Sequence, residues 1–162
     1  MPEIIVIVHN IRSTHNVGSI FRTCEGFGVS KIILSGYSPY PVMPNDTRLP
    51  HIRNKLNDQI HKTALGAEIL VESTYQPETD FDDLKRQGYV LVGLEQDDRS
   101  VNIRDYKTPD KIALIIGEEV NGIQSNIREK CDDIIEIPMK GKKESFNVSV
   151  AVGIALYELT TI

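Results

Sequence analysis

Three short stretches of this sequence hold side chains able to do chemistry. In the first, Asn16-Val-Gly-Ser-Ile-Phe-Arg22, an amide and a guanidinium stand six residues apart with Gly18 between them. A guanidinium can grip phosphate with two parallel hydrogen bonds and stays charged at any physiological pH. In the second, Leu114-Ile-Ile-Gly-Glu-Glu-Val-Asn-Gly122, two adjacent carboxylates lie in a glycine-bounded loop. Glycine lets a backbone approach a ligand closely. In the third, Ile137-Pro-Met-Lys-Gly-Lys-Lys-Glu-Ser145-Phe-Asn147-Val-Ser149, a basic loop leads into small polar residues. Lys140, Lys142 and Lys143 can meet backbone phosphate, and Ser145 or Asn147 can cap a following helix. Each stretch, taken singly, also reads as ordinary structure: a capped helix with a solvated arginine, a strand-to-helix turn, a solvated lysine loop.

The chemistry these stretches exclude is equally informative. No G-x-G-x-x-G phosphate cradle is present, and Gly26-Phe-Gly28 closes a helix instead of opening one. A nicotinamide-dependent oxidoreductase is disfavoured on that ground. His9, His15, His51 and His61 lack ligand spacing such as H-x-x-x-H, and Cys24 and Cys131 are too few for a zinc site or a disulfide framework. No metal is expected, and the thiols read as those of a reduced, cytoplasmic protein.

The elements that must position these groups show in the hydrophobic pattern. Short apolar runs rich in β-branched residues recur at Ile4–Val8, Lys31–Ser35, Glu68–Glu72, Tyr89–Leu94, Lys111–Gly117 and Asp133–Ile137. Several are continuous, which suits strands buried on both faces of a parallel sheet. Helical spacing appears between them at Asn16–Phe27, where Asn16 occupies the expected N-cap, and at Asp58–Leu65, Glu78–Gln87, Ser125–Cys131 and Val148–Leu159. Strand–helix alternation predicts an α/β fold with a parallel sheet, and ligands of such sheets bind at the carboxyl ends of the strands. The Pro-containing stretch Ser38–Pro50 is either a substrate loop or a surface connection. The last helix is apolar nearly all round, so it is buried on two sides, in the core or against a second subunit.

The 162 residues suffice for one domain, and no apolar run is long enough for a membrane span. Net charge is −5, which argues against indiscriminate coating of nucleic acid. The charge is unevenly spread. Residues 1–62 carry seven Lys/Arg against four acids, and the remainder carries eleven against nineteen. A polyanion would prefer the N-terminal part.

Together the three stretches resemble the SpoU (TrmH-like) class of RNA 2′-O-ribose methyltransferases, in the SPOUT superfamily. The resemblance runs from Asn10-Ile-Arg-Ser-Thr-His-Asn-Val-Gly-Ser-Ile-Phe-Arg22 through Leu65-Gly-Ala-Glu68 to Ile137-Pro-Met139 and Ser145-Phe-Asn-Val-Ser-Val-Ala151. Glu118 and Phe146 depart from the commonest forms, and neither change removes a motif side chain.

The resemblance implies a single methyltransferase domain over 1–162, without an N-terminal RNA-binding extension. It implies a parallel-sheet α/β domain whose C-terminal segment is tied in a deep trefoil knot. It further implies a homodimer through the first and last helices, and S-adenosylmethionine as cofactor, held by Leu94, Gly117, Ile137, Met139, Ser145 and Phe146. Arg22 would clamp a phosphate of the RNA. Asn16 would orient Arg22 or the ribose, and Glu119 would fix one of those two. Ser145 and Asn147 would hold the loop and the substrate. Arg12, Arg22, Arg48, Lys140, Lys142 and Lys143 are the cations expected to face RNA, with tRNA favoured over rRNA. The competing expectations are an RNA base methyltransferase of the same superfamily and a non-catalytic RNA-binding module of the same fold.

Overall fold

A computed structural model describes residues 1–161. Seven strands form one wholly parallel sheet: β1 (Glu3–His9), β2 (Lys31–Ser35), β3 (Ser73–Gln76), β4 (Val90–Leu94), β5 (Val101–Asn102), β6 (Lys111–Ile116) and β7 (Asp133–Glu136). Their spatial order is β3-β2-β1-β6-β4-β7-β5. The order matters for function. Every strand runs the same way, so all the strand-to-helix loops gather on one edge. The loops after β4, β6 and β7 are neighbours there, and so are those after β1, β2 and β3.

Continuous apolar strands are explained by cover on both faces. Ile4, Val6 and Val8 of β1 belong to the larger core cluster, while Ile5 and Ile7 point into the smaller one on the opposite face. The larger cluster is closed by α1 (Thr14–Gly26), α2 (Pro50–Ala64), α3 (Ala67–Leu70) and α6 (Val148–Thr160). The smaller one is closed by α4 (Phe81–Arg86) and α5 (Ser125–Arg128). A 3-10 turn, Ile103–Asp105, follows β5.

Four local expectations are corrected. The N-cap of α1 is Ser13, whose Oγ accepts from Asn16 N; Asn16 lies inside the helix. Helix α2 begins at Pro50, not Asp58, because Pro at the first helical position is already set for the helical φ. The run Glu68–Glu72 is not a strand. Gly66 at φ 101° opens the short helix α3, and the buried Glu68 carboxylate accepts from Gly66 N and bonds His61 Nδ1. The strand starts only at Ser73, where it pairs with Ile32 of β2. The helix expected over Ser125–Cys131 is shorter, ending at Arg128.

Gly18 fixes how closely α1 meets α2. A Cβ there would lie 2.0 Å from Thr63 Oγ1 and 2.3 Å from the Ile60 carbonyl oxygen. Thr63 meanwhile donates to the His15 carbonyl at 2.8 Å, sewing the two helices together. Gly18→Ala therefore forces the helices apart and is expected to cost about 1–3 kcal/mol in urea unfolding, read as a lower midpoint with an unchanged m-value. An unchanged midpoint would show that the contact is slack.

Candidate active site

A cleft of about 610 Å³ opens at the carboxyl ends of β4, β6 and β7. Its walls are the three loops that follow those strands together with the start of α6. Gly117 sits at the closest approach: a Cβ there would be 2.5 Å from the Gly122 carbonyl carbon and 2.6 Å from Ile123 N. The bridge between Glu118 and Gly122, with bonds of 3.1 and 2.8 Å, depends on that gap. Gly122 itself takes φ 67°, in the left-handed region.

Glu95 ties this loop to the end of β4. Its carboxylate accepts from Ile123 N at 2.9 Å and from Gln96 N at 2.9 Å. It also lies over Gly122, where a Cβ would meet Oε2 at 1.9 Å. Gln96 Nε2 then donates to the Glu144 carbonyl at 2.6 Å, joining the third loop to the first. These two adjacent residues connect all three loops, and neither is among the expected site residues. Their only signal was their place at the end of a buried strand.

The expected cofactor contacts Leu94, Gly117, Ile137, Met139, Ser145 and Phe146 all line this cleft, as do Glu119 and Asn147. Asn16 reaches it from α1. Its Nδ2 donates to Glu119 Oε1 at 3.5 Å, and its Oδ1 accepts from Asn147 Nδ2 at 3.4 Å. Both are long bonds at the loose end of the hydrogen-bond range. Asn147 also caps α6, accepting from Ser149 N at 3.0 Å. One small polar cluster thus joins α1, the loop after β6 and the head of α6. Ser145 is exposed on the cleft wall and has no hydrogen-bond partner among the described residues.

Arg22 stands apart. It is exposed on α1 and is not among the residues that line the cleft. The cause is helical geometry. Six residues after Asn16 it is about 9 Å further along the axis and about 120° around it. Only one of the pair can face this cleft, and it is Asn16. Lys140, Lys142 and Lys143 are exposed at the rim. Arg48 differs from its expected role. Its guanidinium is held by both Asp46 oxygens, at 3.0 and 2.6 Å, and by the carbonyls of Tyr40 and Pro41. That bonding keeps the Asp46 carboxyl far below the usual carboxylate range. Arg48 braces its own loop, with four of its five N–H donors already engaged there.

The cleft wall is acidic. Glu95, Glu118, Glu119, Glu136 and Glu144 line it against a single cation, Arg128. Among the described residues no group of three or more His, Cys, Asp or Glu could hold a metal ion, and no helix is long and apolar enough to cross a membrane.

The fold and cleft define a parallel α/β protein with a ligand site at the carboxyl edge of its sheet. Residues 3–157 match the SpoU rRNA Methylase family, and the chain belongs to that family. It is 31% identical over 156 residues to the tRNA (guanosine(18)-2'-O)-methyltransferase of Aquifex aeolicus, covering 96% of this chain and 68% of that protein. It is 28% identical over 158 residues to the 23S rRNA (guanosine-2'-O-)-methyltransferase RlmB of Coxiella burnetii, covering 98% and 58%. The crystal structure of the A. aeolicus TrmH/SpoU tRNA modifying enzyme superposes with a TM-score of 0.80 at 27% identity, over 99% of this chain and 75% of that one. An AdoMet-bound rRNA methyltransferase from Sinorhizobium meliloti shares the fold, with a TM-score of 0.79 at 24% identity over 97% and 55%. The chain spans 57% to 68% of the length of the first curated relatives it matches.

Glu95→Ala removes the acceptor that pins Ile123 N to the loop after β4. Hydrogen bonds to a charged acceptor contribute about 1.5–3 kcal/mol each. The Ile123 amide is therefore expected to exchange with solvent at least about tenfold faster by NMR, with the β1 and β6 amides unaffected. Unchanged exchange at Ile123 would show that the loop is held by other contacts.

Proposed function

We propose that this chain transfers a methyl group from S-adenosylmethionine to a ribose 2′-hydroxyl of RNA. The observation that carries the reading is a cleft at the carboxyl ends of β4, β6 and β7 whose lining holds five carboxylates and one arginine. Such a wall favours a cationic sulfonium and repels a nucleotide polyphosphate. The apolar side chains of Leu94, Ile137, Met139 and Phe146 suit an adenine ring, and the backbone freed by Gly117 and Gly122 can reach its polar edges. The residues present therefore fit this cofactor. When bound it supplies a methyl group already activated by the positive sulfur.

What remains for the protein is to seat a sugar hydroxyl and manage its proton. The Asn16–Glu119–Asn147 cluster presents amide donors and a carboxylate at the mouth of the cleft. Glu119 holds Asn16, and Ser145 offers a hydroxyl on the wall of the same cleft. A guanidinium offers only hydrogen-bond donors, so the part of Arg22 is to clamp phosphate and not to accept a proton. Arg22 does not line the cleft of its own chain. Relatives that act on tRNA and on rRNA both match this chain, and tRNA is the first substrate to test.

The reading extends to assembly and topology. A homodimer through α1 and α6 is supported by Val150 and Tyr157, which are 50% and 62% exposed on the largely apolar α6. A trefoil knot is supported by the strand order, since β7 inserts between β4 and β5 and the β4–β5 connection must pass it. The two cysteines are unpaired and buried, as suits a reducing compartment.

Bulk tRNA incubated with the protein and S-adenosylmethionine should gain a 2′-O-methyl nucleoside by mass spectrometry. Arg22→Ala should lower that yield about a hundredfold while calorimetric binding of S-adenosylmethionine is unchanged. A base-methylated product would overturn the ribose assignment, and full turnover by Arg22→Ala would remove its role. Val150→Glu should convert a dimer to a monomer by light scattering; a monomeric wild type would refute the dimer.

A further inference from the structure

A second cleft, of about 550 Å³, lies further along the same sheet edge, at the carboxyl ends of β1, β2 and β3. It has a different character from the first. Its lining includes Arg12, Tyr37, Tyr40, Arg48, Gln59 and Tyr75, with no acidic side chain. Three of these form a rigid wall. Tyr40 stacks on Tyr75 with centroids 4.0 Å apart and planes 11° off parallel, and the Arg48 guanidinium covers Tyr40 at 3.6 Å. The Tyr75 hydroxyl donates to the Gly36 carbonyl at 2.7 Å, so the wall is fastened to the loop after β2.

Arg12 and Tyr37 line the same cleft as a pair, the guanidinium carbon 5.2 Å from the ring centroid. Tyr37 is 48% exposed. Large exposed aromatics are ordinarily mobile, but this one rides on a fixed backbone. Tyr37 N donates to Asn10 Oδ1 at 3.1 Å. Asn10 itself takes φ 56°, and Gly36 takes φ 62° at a point where a Cβ would strike Asn10 Oδ1. Buried Ser38 donates to the Val8 carbonyl at 2.9 Å and accepts from Ile11 N at 2.9 Å, clamping the loop that carries Tyr37 to the one that carries Arg12. Strain and buried hydrogen bonds are thus invested in holding an aromatic ring and a cation at the surface.

An aromatic face beside a guanidinium is the pair that holds an unstacked nucleotide: the base stacks and the phosphate meets the cation. The middle strands of the two clefts, β2 and β4, are three strand spacings apart, about 14 Å. A strand whose ribose lies in the first cleft can therefore lay a nearby nucleotide in the second. Resting on the RNA substrate argued above, we propose that the Arg12–Tyr37 cleft is a nucleotide subsite. It stacks the base of a residue flanking the methylated one and so positions the RNA.

The chain contains no tryptophan, so Tyr37→Trp introduces a single fluorescent reporter that still stacks. Its emission should be quenched saturably by bulk tRNA and not by inorganic phosphate. Ile69→Trp, on the short helix before β3 and therefore toward the opposite edge of the sheet, serves as the control and should not respond. Tyr37→Ala should raise the Kd for tRNA about tenfold, with Tyr37→Phe restoring it. Arg12→Ala should reduce the salt slope of log Kd by about one. Binding of labelled tRNA by the wild type with no quench in Tyr37→Trp would overturn the subsite and leave the RNA reading standing. Binding of neither bulk tRNA nor rRNA would overturn both.

Discussion

The carboxylate of Glu95 is the constraint on which the first cleft depends. It accepts from Ile123 N while its neighbour Gln96 reaches the Glu144 carbonyl, so one dipeptide holds the loops after β4, β6 and β7 in register. Those loops carry no regular secondary structure of comparable strength to align them. Without an anchor they would sample many separations, and ordering them on binding would cost conformational entropy. With it, the backbone of residues 117–122 is fixed at the distance that a missing side chain at Gly117 permits. The site is preorganised by backbone geometry more than by side chains.

The parallel sheet supplies what the anchor cannot. Because all strand ends lie on one edge, an acidic cleft and an aromatic, cationic cleft sit side by side without any domain movement. The division of charge between them fits the transfer reaction proposed above. A cation-bearing donor suits the first, and a polyanion with exposed bases suits the second. The sequence hinted at this division only as a sum over halves of the chain. Folding turns that average into two adjacent surfaces.

Much of the sheet was legible in the sequence because strands buried on both faces read as continuous apolar runs. Ile4–Val8, Lys31–Ser35 and Lys111–Gly117 each fell within a residue of the observed limits. The run Glu68–Glu72 misled for a tertiary reason: buried Glu68 bonds His61 and Gly66, and those contacts hold a helical turn where composition favoured a strand. The convergence of Leu94, Gly117, Ile137, Met139, Ser145 and Phe146 came from family resemblance and not from periodicity. Arg22 shows the opposite limit. Its spacing from Asn16 was on the page, and helical geometry alone places the two on different faces. Arg48 looked like a free cation because nothing in the sequence shows that Asp46 and two carbonyls occupy it. Tyr37 carried no signal, since its fixed place at the surface depends on Asn10 and on the Val8 and Ile11 backbone, far away in the chain.

The central claim is that three strand-end loops form one binding surface for the methyl donor. Hydrogen exchange read by mass spectrometry, with and without S-adenosylmethionine, tests it most directly. Protection confined to peptides spanning residues 94–97, 117–123 and 137–147 is the predicted result. Protection at other loops, or none at saturating cofactor, would contradict it.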